Sequence, residues 1–597
     1  MGSQSESNFG NDALSGSSAS KAASKVDSKA ESSTTFDPSG VELPPKYYLD
    51  NFRFVLDHVR ALYADILTAQ ESAFAADFNA LSEDAQCLYV RLLSRRGDWF
   101  RTDKLNYSEI SDINAAADEL AAEEFLEIFD SGAEAVQQDA AALGLFTRPE
   151  VASCLSGKGV RSLSKAALME RVLEYGKEDS SECEDVDLKK LPPTQVLCVF
   201  GELEMETYRL LFFGNLYQDF TEFVLRDLGL YRYEDYQIDT DSRWCHSREQ
   251  LEQQVLYYEL RNEAGDLRDL GTEALLQIAE RVPDETDALL RRRTQRFLAD
   301  IARQIERSGE AERSLSVYER SHRHPARERR LRILVSLNRL EEADQLAATM
   351  AERPYSEEEH QFLLNFVPRK MKHNAGLCES LIEKTLAPAQ DILTMPAAYR
   401  LEHGVERAVA LSLTDAHPED HVLYCENLLV PGVFGLVFWP LLFDEVPGAF
   451  FHPFQIRPAD LYDEEFTAVR QTSLEACWAA LDSQSSFEKG VWNTYDSKFG
   501  IANPFIHWGG LTKEILELAL SRISTEVWRG LFRFLLKDLR NHKAGLPDLI
   551  RFPAEGGFEL LEVKGPGDTL QKNQKAWFAE FHRLAIPARV IRVKDES

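Results

Sequence analysis

The chain has 597 residues, of which 44% are hydrophobic, so it is long enough to form several domains with well-filled cores. Its formal net charge of −32 at face value disfavours a nucleic-acid partner, because affinity for phosphate comes from lysine and arginine. No apolar run approaches the ~20 residues that cross a bilayer, the start lacks a secretory signal, and the eight cysteines include no CxxC pair. These features predict an intracellular protein in a reducing compartment, with no membrane partner.

The amino-terminal part of the chain changes character several times. Residues 1–40 are serine-rich with almost no large apolar groups, which is typical of a disordered leader or tag. Residues 41–140 predict a helical, winged-helix-like domain, with helices before and after an extended WFRTDKL stretch.

A short helical segment and a linker follow. Residues 141–175 predict two helices around a glycine-containing turn, with Ser164 as cap of the second helix and Lys165 in its first turn. The segment resembles a SAP motif, in which Lys165 would contact DNA, and the alternative is a plain helical hairpin. Residues 176–193 are polar, acidic and closed by prolines, which indicates a linker.

Residues 194–415 predict a helical, TPR-like domain, in which segments 308–321 and 337–350 align at an offset of 29. The charge along the chain is uneven: residues 288–339 hold fourteen arginines and six acids (14 − 6 = +8), whereas residues 101–140 hold two basic and eleven acidic residues (2 − 11 = −9). The arginine band is either a solvated face paired with local glutamates or a phosphate-binding track. On the second interpretation, the DNA-contacting side chains are Arg291, Arg292, Arg327 and Arg330.

Residues 416–597 predict a compact α/β domain. They contain a long amphipathic helix at 513–540 and three strand-like stretches, LPDLIRF, FELLEVK and ARVIRVK, with helix 569–584 between the last two. The predicted fold class is therefore multidomain and mainly α, with a C-terminal α/β domain.

The first two of these strands predict a hairpin that gathers charged groups. A turn at PAEGG, centred on residue 555, pairs Asp548 with Glu562 and places Lys564 on the same side of the pleat. Two carboxylates this close repel unless a cation lies between them, and oxygen ligands of this kind suit Mg²⁺ or Mn²⁺. The lysine could then orient or deprotonate water and steady negative charge at phosphorus. This is the PD-(D/E)xK nuclease pattern, and the alternative is a half-exposed charge ladder.

Longer stretches carry a family resemblance. GLPDLIRF, LLEVKGPGDTLQKNQKAWFAEF and the closing VIRVK resemble the VRR-NUC domain, which implies a restriction-endonuclease-like fold. CENLLVPGVFGLVFWPLLF and LYVRLLSRRGDWFRTDKLNYSEI are similar to the Fanconi anaemia-associated nuclease family. The resemblance implies a structure-specific DNA nuclease, with 5′-flap endonuclease and 5′→3′ exonuclease activity, that acts on branched DNA in interstrand cross-link repair.

The resemblance also assigns roles to individual residues. It implies a metal-and-water triad, a metal-binding backbone carbonyl, an acid from an earlier helix, and a glutamine that orients the site. The triad would be Asp548, Glu562 and Lys564, and the carbonyl would be that of Val563. Glu426 would be the acid from the earlier helix, and Gln574 would be the orienting glutamine. His417, His421 and Cys425 have the spacing of ligands on one helix face, but Pro418 is expected to begin that helix, which would leave His417 at or before its end.

The expected partner is branched or 5′-flap double-stranded DNA, and a homodimer on DNA is left open. Phosphate contacts are expected from Lys543 before the hairpin and from Lys572 and Lys575 after it. Vertebrate members carry a ubiquitin-binding zinc finger, for which this chain has no cysteine pair. Ubiquitin recruitment is therefore not expected. The chain is expected to be a bacterial-type member that acts in the cytoplasm at the nucleoid, whereas a eukaryotic member would be nuclear. The alternative functions are a Holliday-junction resolvase and a non-catalytic DNA- and protein-binding scaffold.

Overall fold

A computed structural model describes residues 45–156, 160–175, 187–218, 232–283, 287–381 and 388–596. Within these ranges the chain is mainly helical and ends in a five-stranded mixed sheet, which confirms the predicted fold class. Across the same ranges, no helix has the length and apolar character needed to span a membrane. The predicted leader at 1–40 lies outside the described residues.

The amino-terminal module combines helices with a small antiparallel sheet. Its strands are β1 (Trp99–Arg101), β2 (Leu126–Asp130) and β3 (Gln195–Val199), in the order β1-β3-β2. The middle strand lies beyond the linker, in residues that the sequence assigned to the helical domain. A five-residue strand whose partners are distant in sequence leaves only a weak local signal. The helices of this module are Tyr47–Tyr63, Ala69–Ala80, Glu83–Leu93, Ile113–Ala122 and Glu202–Phe213.

A small helical insertion with its own apolar core lies between β2 and β3. Ser164 caps its last helix, as the sequence predicted, by accepting the backbone N–H of Ala167 at 3.2 Å. Residues 176–186 of the predicted linker lie outside the described residues. The helices of the insertion are Glu134–Gln138, Ala140–Gly144, Arg148–Ser153 and Lys165–Tyr175.

Arg101 in β1 fastens this insertion to the sheet. Its side chain is only 2% exposed, and its guanidinium donates to Glu150 of the insertion and to Asp103, each at 2.9 Å. The same guanidinium lies over the ring of Phe146. The SAP-like segment is therefore held on the amino-terminal module by a buried charge network.

A stack of helices follows, in which consecutive members pack on one another from residue 288 to 370. Side chains of Ser247, Asp287 and Ser356 cap three of these helices by accepting backbone N–H groups, which is a local reason for where they begin. The helices are Arg248–Ala264, Thr272–Arg281, Ala288–Arg307, Ala311–Glu319, Ala326–Ser336, Leu340–Glu352, Glu357–Lys370 and Ala375–Ser380.

Two helices in this stack carry the repeat seen in the sequence. Helices Ala311–Glu319 and Leu340–Glu352 start 29 positions apart (340 − 311). The residues two positions before them, Gly309 and Asn338, both have left-handed backbones, with φ of 94° and 58°. Glycine and asparagine are the residues that adopt this conformation at least cost, so the repeat includes the geometry of the preceding turn.

The carboxyl-terminal sheet has the order β4-β8-β7-β6-β5. β8 is parallel to β4 and β7, whereas β6 is antiparallel to β5 and β7. The strands are β4 (Ala389–Met395), β5 (His421–Tyr424), β6 (Leu549–Phe552), β7 (Glu559–Lys564) and β8 (Ala588–Asp595). The helices of this part are Ala397–His403, Val405–Ala416, Leu429–Val437, Trp439–Leu442, Gln471–Ala479, Gln484–Lys498, Lys513–Arg522, Thr525–Lys537 and Lys572–Arg583.

This sheet differs from the prediction in its two edge strands. β4 lies in residues expected to be helical, before the predicted boundary at residue 416, and β5 was not predicted as a strand. Most of β4 is exposed, so it lacks the apolar alternation that indicates a half-buried strand. The predicted helix 513–540 is also two helices, because Ile523 is extended and Ser524 caps the second one.

Both faces of the sheet are covered. Leu549, Leu561 and Val563 pack into one core, as the hairpin register predicted, while Ile550 and Leu560 pack into the other. The second core includes Trp577 of helix Lys572–Arg583 and Trp528 of helix Thr525–Lys537. Polar groups at the ends of β6 and β7 are therefore removed from water by the packing of helices on this face.

The network around Arg101 yields a prediction for stability. Arg101→Ala removes a buried guanidinium that pairs with Glu150 and Asp103 and packs on Phe146. Because both acids are partly exposed to water, we expect a loss of about 2 kcal/mol in the free energy of unfolding of the amino-terminal module. Urea denaturation followed by circular dichroism should show an earlier first transition. Arg96→Ala, a change at an exposed arginine just before β1, is the control and should leave the midpoint unchanged. Equal midpoints for the two variants would contradict the assignment.

Candidate active site

The hairpin that carries the candidate site has the predicted register. Leu549 pairs with Leu561 and Ile550 with Leu560, so Asp548, one residue before β6, lies beside β7 at Glu562. A carboxylate oxygen of Asp548 (Oδ2) accepts the backbone N–H of Val563 at 2.7 Å. Asp548 is thus bound across the hairpin through its side chain.

Glu562 is the most deeply buried acid of the site, with 1% of its surface exposed. One carboxylate oxygen, Oε1, accepts from the Lys564 ammonium at 2.7 Å and from the Gln574 amide nitrogen at 2.6 Å. The amide oxygen of Gln574 accepts the backbone N–H of Gln571 at 2.9 Å, which closes the amino-terminal end of helix Lys572–Arg583. Gln574 therefore links a helix end to Glu562, and the structure brings Glu562, Lys564 and Gln574 into direct contact.

Glu426 reaches the same place from a different element than expected. It lies in the loop between β5 and helix Leu429–Val437, not on a helix, because β5 pairs with β6 and carries the chain to the hairpin end. The backbone N–H groups of Cys425 and Glu426 donate to the carbonyl oxygen of Asp548 at 2.8 and 3.2 Å. The carboxylate of Glu426 accepts from the Tyr424 hydroxyl and from the Asn427 amide.

The surroundings of Asp548 and Glu562 favour the protonated forms of these two acids. Burial raises the pKa of Asp548 to about 8, and the nearby charges of Glu562, Glu426 and Glu406 contribute to the rise, against the lowering effect of the Val563 N–H. The pKa of Glu562 is raised by burial, lowered in part by Lys564, and raised by Glu426 and Glu406. Buried acids with raised pKa values are groups whose charged forms a bound divalent cation would stabilise.

Glu406 is an acid of this site that the sequence did not single out. It lies in the first turn of helix Val405–Ala416, and its charge raises the pKa of both Asp548 and Glu562. In the sequence, Glu406 is only an acid near the start of a helix, which is too common a feature to indicate an active site. Burial likewise raises the pKa of the Tyr424 phenol, with further contributions from Glu426, Asp548 and Glu406, so the phenol keeps its proton and donates it.

The residues present fit a hard divalent cation by their chemistry. Glu562 Oε2 is buried and has no hydrogen-bond partner, and carboxylate oxygens are the ligands that Mg²⁺ and Mn²⁺ take. Among the described residues, no three His, Cys, Asp or Glu side chains are grouped closely enough to hold a metal ion as they stand. His417, His421 and Cys425 do not lie on one helix, because His417 follows helix Val405–Ala416 and His421 begins β5.

The basic residues selected from the helical part are largely paired within the protein. Lys165 donates to the carbonyl oxygen of Gly144 at 2.6 Å. The arginines form ion pairs with acids: Arg291 with Glu465 at 3.2 Å, Arg292 with Asp463 at 2.6 Å, Arg327 with Glu359 and Arg330 with Glu319 at 2.6 Å. Arg327 and Arg330 thus pair with glutamates of the same helical stack, whereas Arg291 and Arg292 pair with acids of the carboxyl-terminal part.

The basic residues near the hairpin are different. Lys572 and Lys575 are exposed on the helix that carries Gln574, and neither forms an ion pair with any residue that the structure describes. Lys543 donates to the hydroxyl of Tyr462 at 3.0 Å. The guanidinium groups of Arg540 and Arg457 lie over the same ring. These cations have no carboxylate partner in the described part of the chain.

Comparison with known proteins finds two family models that match separate parts of the chain and relatives that match most of it. A family model described as "FAN1, HTH domain" matches residues 46–127, and one described as "VRR-NUC domain" matches residues 482–595. A Fanconi-associated nuclease 1 homolog of Pseudomonas aeruginosa is 36% identical over 92% of this chain and 96% of its own. A homolog of Arabidopsis thaliana is 25% identical over 93% of this chain and 68% of its own.

Solved structures match over the same extent. The crystal structure of paFAN1 bound to 2-nt 5′-flap DNA with a gap has a TM-score of 0.75 and 34% identity to this chain. The match covers 93% of this chain and 100% of that one. A complex with a 1-nt 5′-flap DNA has a TM-score of 0.72 and 33% identity.

The raised pKa of Asp548 predicts a pH-dependent stability. The folded chain holds this proton up to about pH 8, whereas the unfolded chain releases it near the ordinary pKa of 3.8, so stability falls as the pH rises between these values. In the presence of a chelator, we expect the wild type to lose on the order of 4 kcal/mol relative to Asp548→Asn from about pH 5 to about pH 8.5, because one linked proton contributes about 1.4 kcal/mol per pH unit over about three units. Thermal denaturation at the two pH values measures the difference, and parallel pH profiles for the two proteins would refute it.

Proposed function

Because this chain belongs to the Fanconi-associated nuclease 1 family, we propose that it is a structure-specific DNA nuclease whose carboxyl-terminal hairpin hydrolyses phosphodiester bonds with Mg²⁺ or Mn²⁺. Its substrate is branched DNA with a 5′ flap, which it cuts as an endonuclease and then degrades 5′→3′ in the repair of interstrand cross-links. The relative that is 36% identical over most of the chain is bacterial, which supports action at the nucleoid.

The observation that carries this proposal is the arrangement of groups around Glu562. The Glu562 carboxylate is buried; Lys564 and Gln574 bind one of its oxygens, and the other oxygen has no partner among the described residues. A charge ladder on a surface does not need such an arrangement. Surface ladders are solvated, and their acids keep ordinary pKa values. Here burial and neighbouring charges raise the pKa of Asp548 and Glu562 together.

Each residue has a place in the reaction. The carboxylates of Asp548, Glu562 and Glu426, with the carbonyl of Val563, would hold the divalent ion. When bound, the ion would polarise the scissile phosphate and lower the pKa of the attacking water. Lys564 orients that water and balances charge that develops at phosphorus. Gln574 fixes the rotamer of Glu562, and the products carry 5′-phosphate and 3′-hydroxyl ends.

The grip on DNA is proposed to come from cations close to the hairpin. Lys572 and Lys575 lie within a turn of Gln574, so they place unpaired charge beside the site. Lys543, with Arg540 and Arg457 around Tyr462, forms a second cationic group on the segment that leads into Asp548. Phosphate contacts of this kind position a duplex without reading its sequence, as a junction-specific enzyme requires.

The catalytic assignment is tested by substitution. Lys564→Ala and Asp548→Ala should each lower the rate of 5′-flap cleavage by at least about a hundredfold, because general acid–base and electrostatic groups contribute on that order. End-labelled flaps, cut in the presence of Mn²⁺ and mapped to the nucleotide, give the rate and the position of the cut. Glu555→Ala, which changes an exposed acid in the hairpin turn, should cut like the wild type.

Full activity in either the Lys564 or the Asp548 variant would exclude this hairpin as the active site. A four-way junction in the same panel separates the alternative resolvase activity, which requires paired symmetric cuts and a dimer in solution. One-sided incision of flaps, with little cutting of four-way junctions, is the expected pattern.

The DNA contacts are tested by their salt dependence. The double variant Lys572→Ala/Lys575→Ala should weaken flap binding equally for different sequences. It should also reduce the slope of log K against log salt by about two, because each lysine would neutralise one phosphate. Fluorescence anisotropy in a chelator, over a range of salt concentrations, measures both quantities. Arg330→Ala is the matched control: its charge is already paired with Glu319, so its slope should stay close to that of the wild type. A larger change in the Arg330 variant than in the lysine variant would reverse the assignment.

A further inference from the structure

The carboxylate of Glu426 is held from both sides by its neighbours in sequence. The hydroxyl of Tyr424 donates to one oxygen, Oε2, and the side-chain amide of Asn427 donates to the other, Oε1, at 3.2 Å. Both bonds lie within a stretch of four residues, so they form whenever the loop folds. Each oxygen retains a lone pair, because a carboxylate can accept about four hydrogen bonds or ligands in all.

Asn427 also fixes this loop against the segment that carries Asp548. Its backbone is left-handed, with φ of 52°, which directs its side chain back toward the chain before β6. The backbone N–H of Leu546 donates to the amide oxygen of Asn427 at 3.3 Å. Two residues later, the carbonyl oxygen of Asp548 accepts the N–H groups of Cys425 and Glu426. The orientation of Glu426 is thus set relative to Asp548.

The position of Tyr424 indicates that its hydroxyl matters more than its ring. It ends the edge strand β5, opposite Leu549, and the residue is 49% exposed. A tyrosine kept for packing would be buried, as the core tyrosines of this chain are. What its side chain contributes in the described structure is one hydrogen bond to an acid of the active site.

We propose that Tyr424 and Asn427 are positioning residues, which hold the carboxylate of Glu426 in the orientation that binds the divalent ion together with Asp548 and Glu562. This inference rests on the metal site proposed above. A ligand that is already held in place loses less rotational freedom on binding, so partners of this kind raise metal affinity. They touch neither the DNA nor the reacting atoms, and their effect should appear in the metal affinity and not in the chemical step.

The test is Tyr424→Phe, which removes the hydroxyl and keeps the ring. Isothermal titration of the full chain with Mn²⁺ should show about tenfold weaker binding, with an unchanged melting temperature in a chelator. The Mn²⁺ concentration for half-maximal flap cleavage should rise by the same factor, while kcat at saturating Mn²⁺ stays near that of the wild type. Tyr399→Phe is the control in the same domain, because the Tyr399 hydroxyl makes no hydrogen bond with the described residues, and it should bind Mn²⁺ like the wild type.

Two further variants separate the possible failures. Asn427→Gly tolerates the left-handed backbone but lacks the amide, and it should also weaken Mn²⁺ binding. Glu426→Gln should weaken it more than either. If Glu426→Gln weakens binding and Tyr424→Phe or Asn427→Gly binds like the wild type, the positioning role is overturned and the metal site stands. If Glu426→Gln itself binds Mn²⁺ like the wild type, the proposed role of Glu426 as a ligand fails, and the positioning role fails with it.

Discussion

The hydrogen bonds of Asp548 are the constraint on which the active site depends. Its carboxylate accepts the N–H of Val563 on β7, and its carbonyl accepts the N–H groups of Cys425 and Glu426 at the end of β5. Asp548 thus links β5, β6 and β7 at one end of these strands. Because successive side chains of a strand point to opposite faces, a shift of one residue in any of these pairings would separate the acids. The site therefore forms only in this register.

The site is also where the fold accepts an unfavourable arrangement. Helix packing on the sheet removes Asp548 and Glu562 from water, which raises the pKa of both and leaves one oxygen of Glu562 without a partner. A protein selected only for stability would replace such groups by apolar ones. Their presence supports the proposal that a bound divalent cation offsets this cost.

The charged residues that the structure describes are partly paired with one another and partly without an ion pair. Arginines of the helical stack pair with its own glutamates and with acids such as Asp463, so these ion pairs link the helices to one another and to the carboxyl-terminal part of the chain. Near the hairpin, Lys572, Lys575 and the cations around Tyr462 have no carboxylate partner among the described residues. A strongly acidic protein can bind DNA in this way, because phosphates respond to local charge and the net charge acts weakly at distances beyond the screening length.

The sequence by itself determined the elements whose signals are local. The turn at PAEGG and the apolar alternation around it predicted the β6–β7 register, which places Asp548 beside Glu562 and puts Glu562 and Lys564 on one face of β7. The cap at Ser164 and the 29-residue repeat were likewise predicted from neighbouring residues. Tertiary structure alone decided that β3 completes the sheet of the amino-terminal module, that β4 and β5 form the edges of the other, and that Glu426 comes from a loop held by Tyr424 and Asn427. It also decided that Arg330 pairs with Glu319, whereas Lys572 has no ion pair within the described ranges of the chain. The reason is physical: turn chemistry and side-chain alternation act over a few residues, whereas strand partners, buried acids and ion pairs depend on which distant segments pack together.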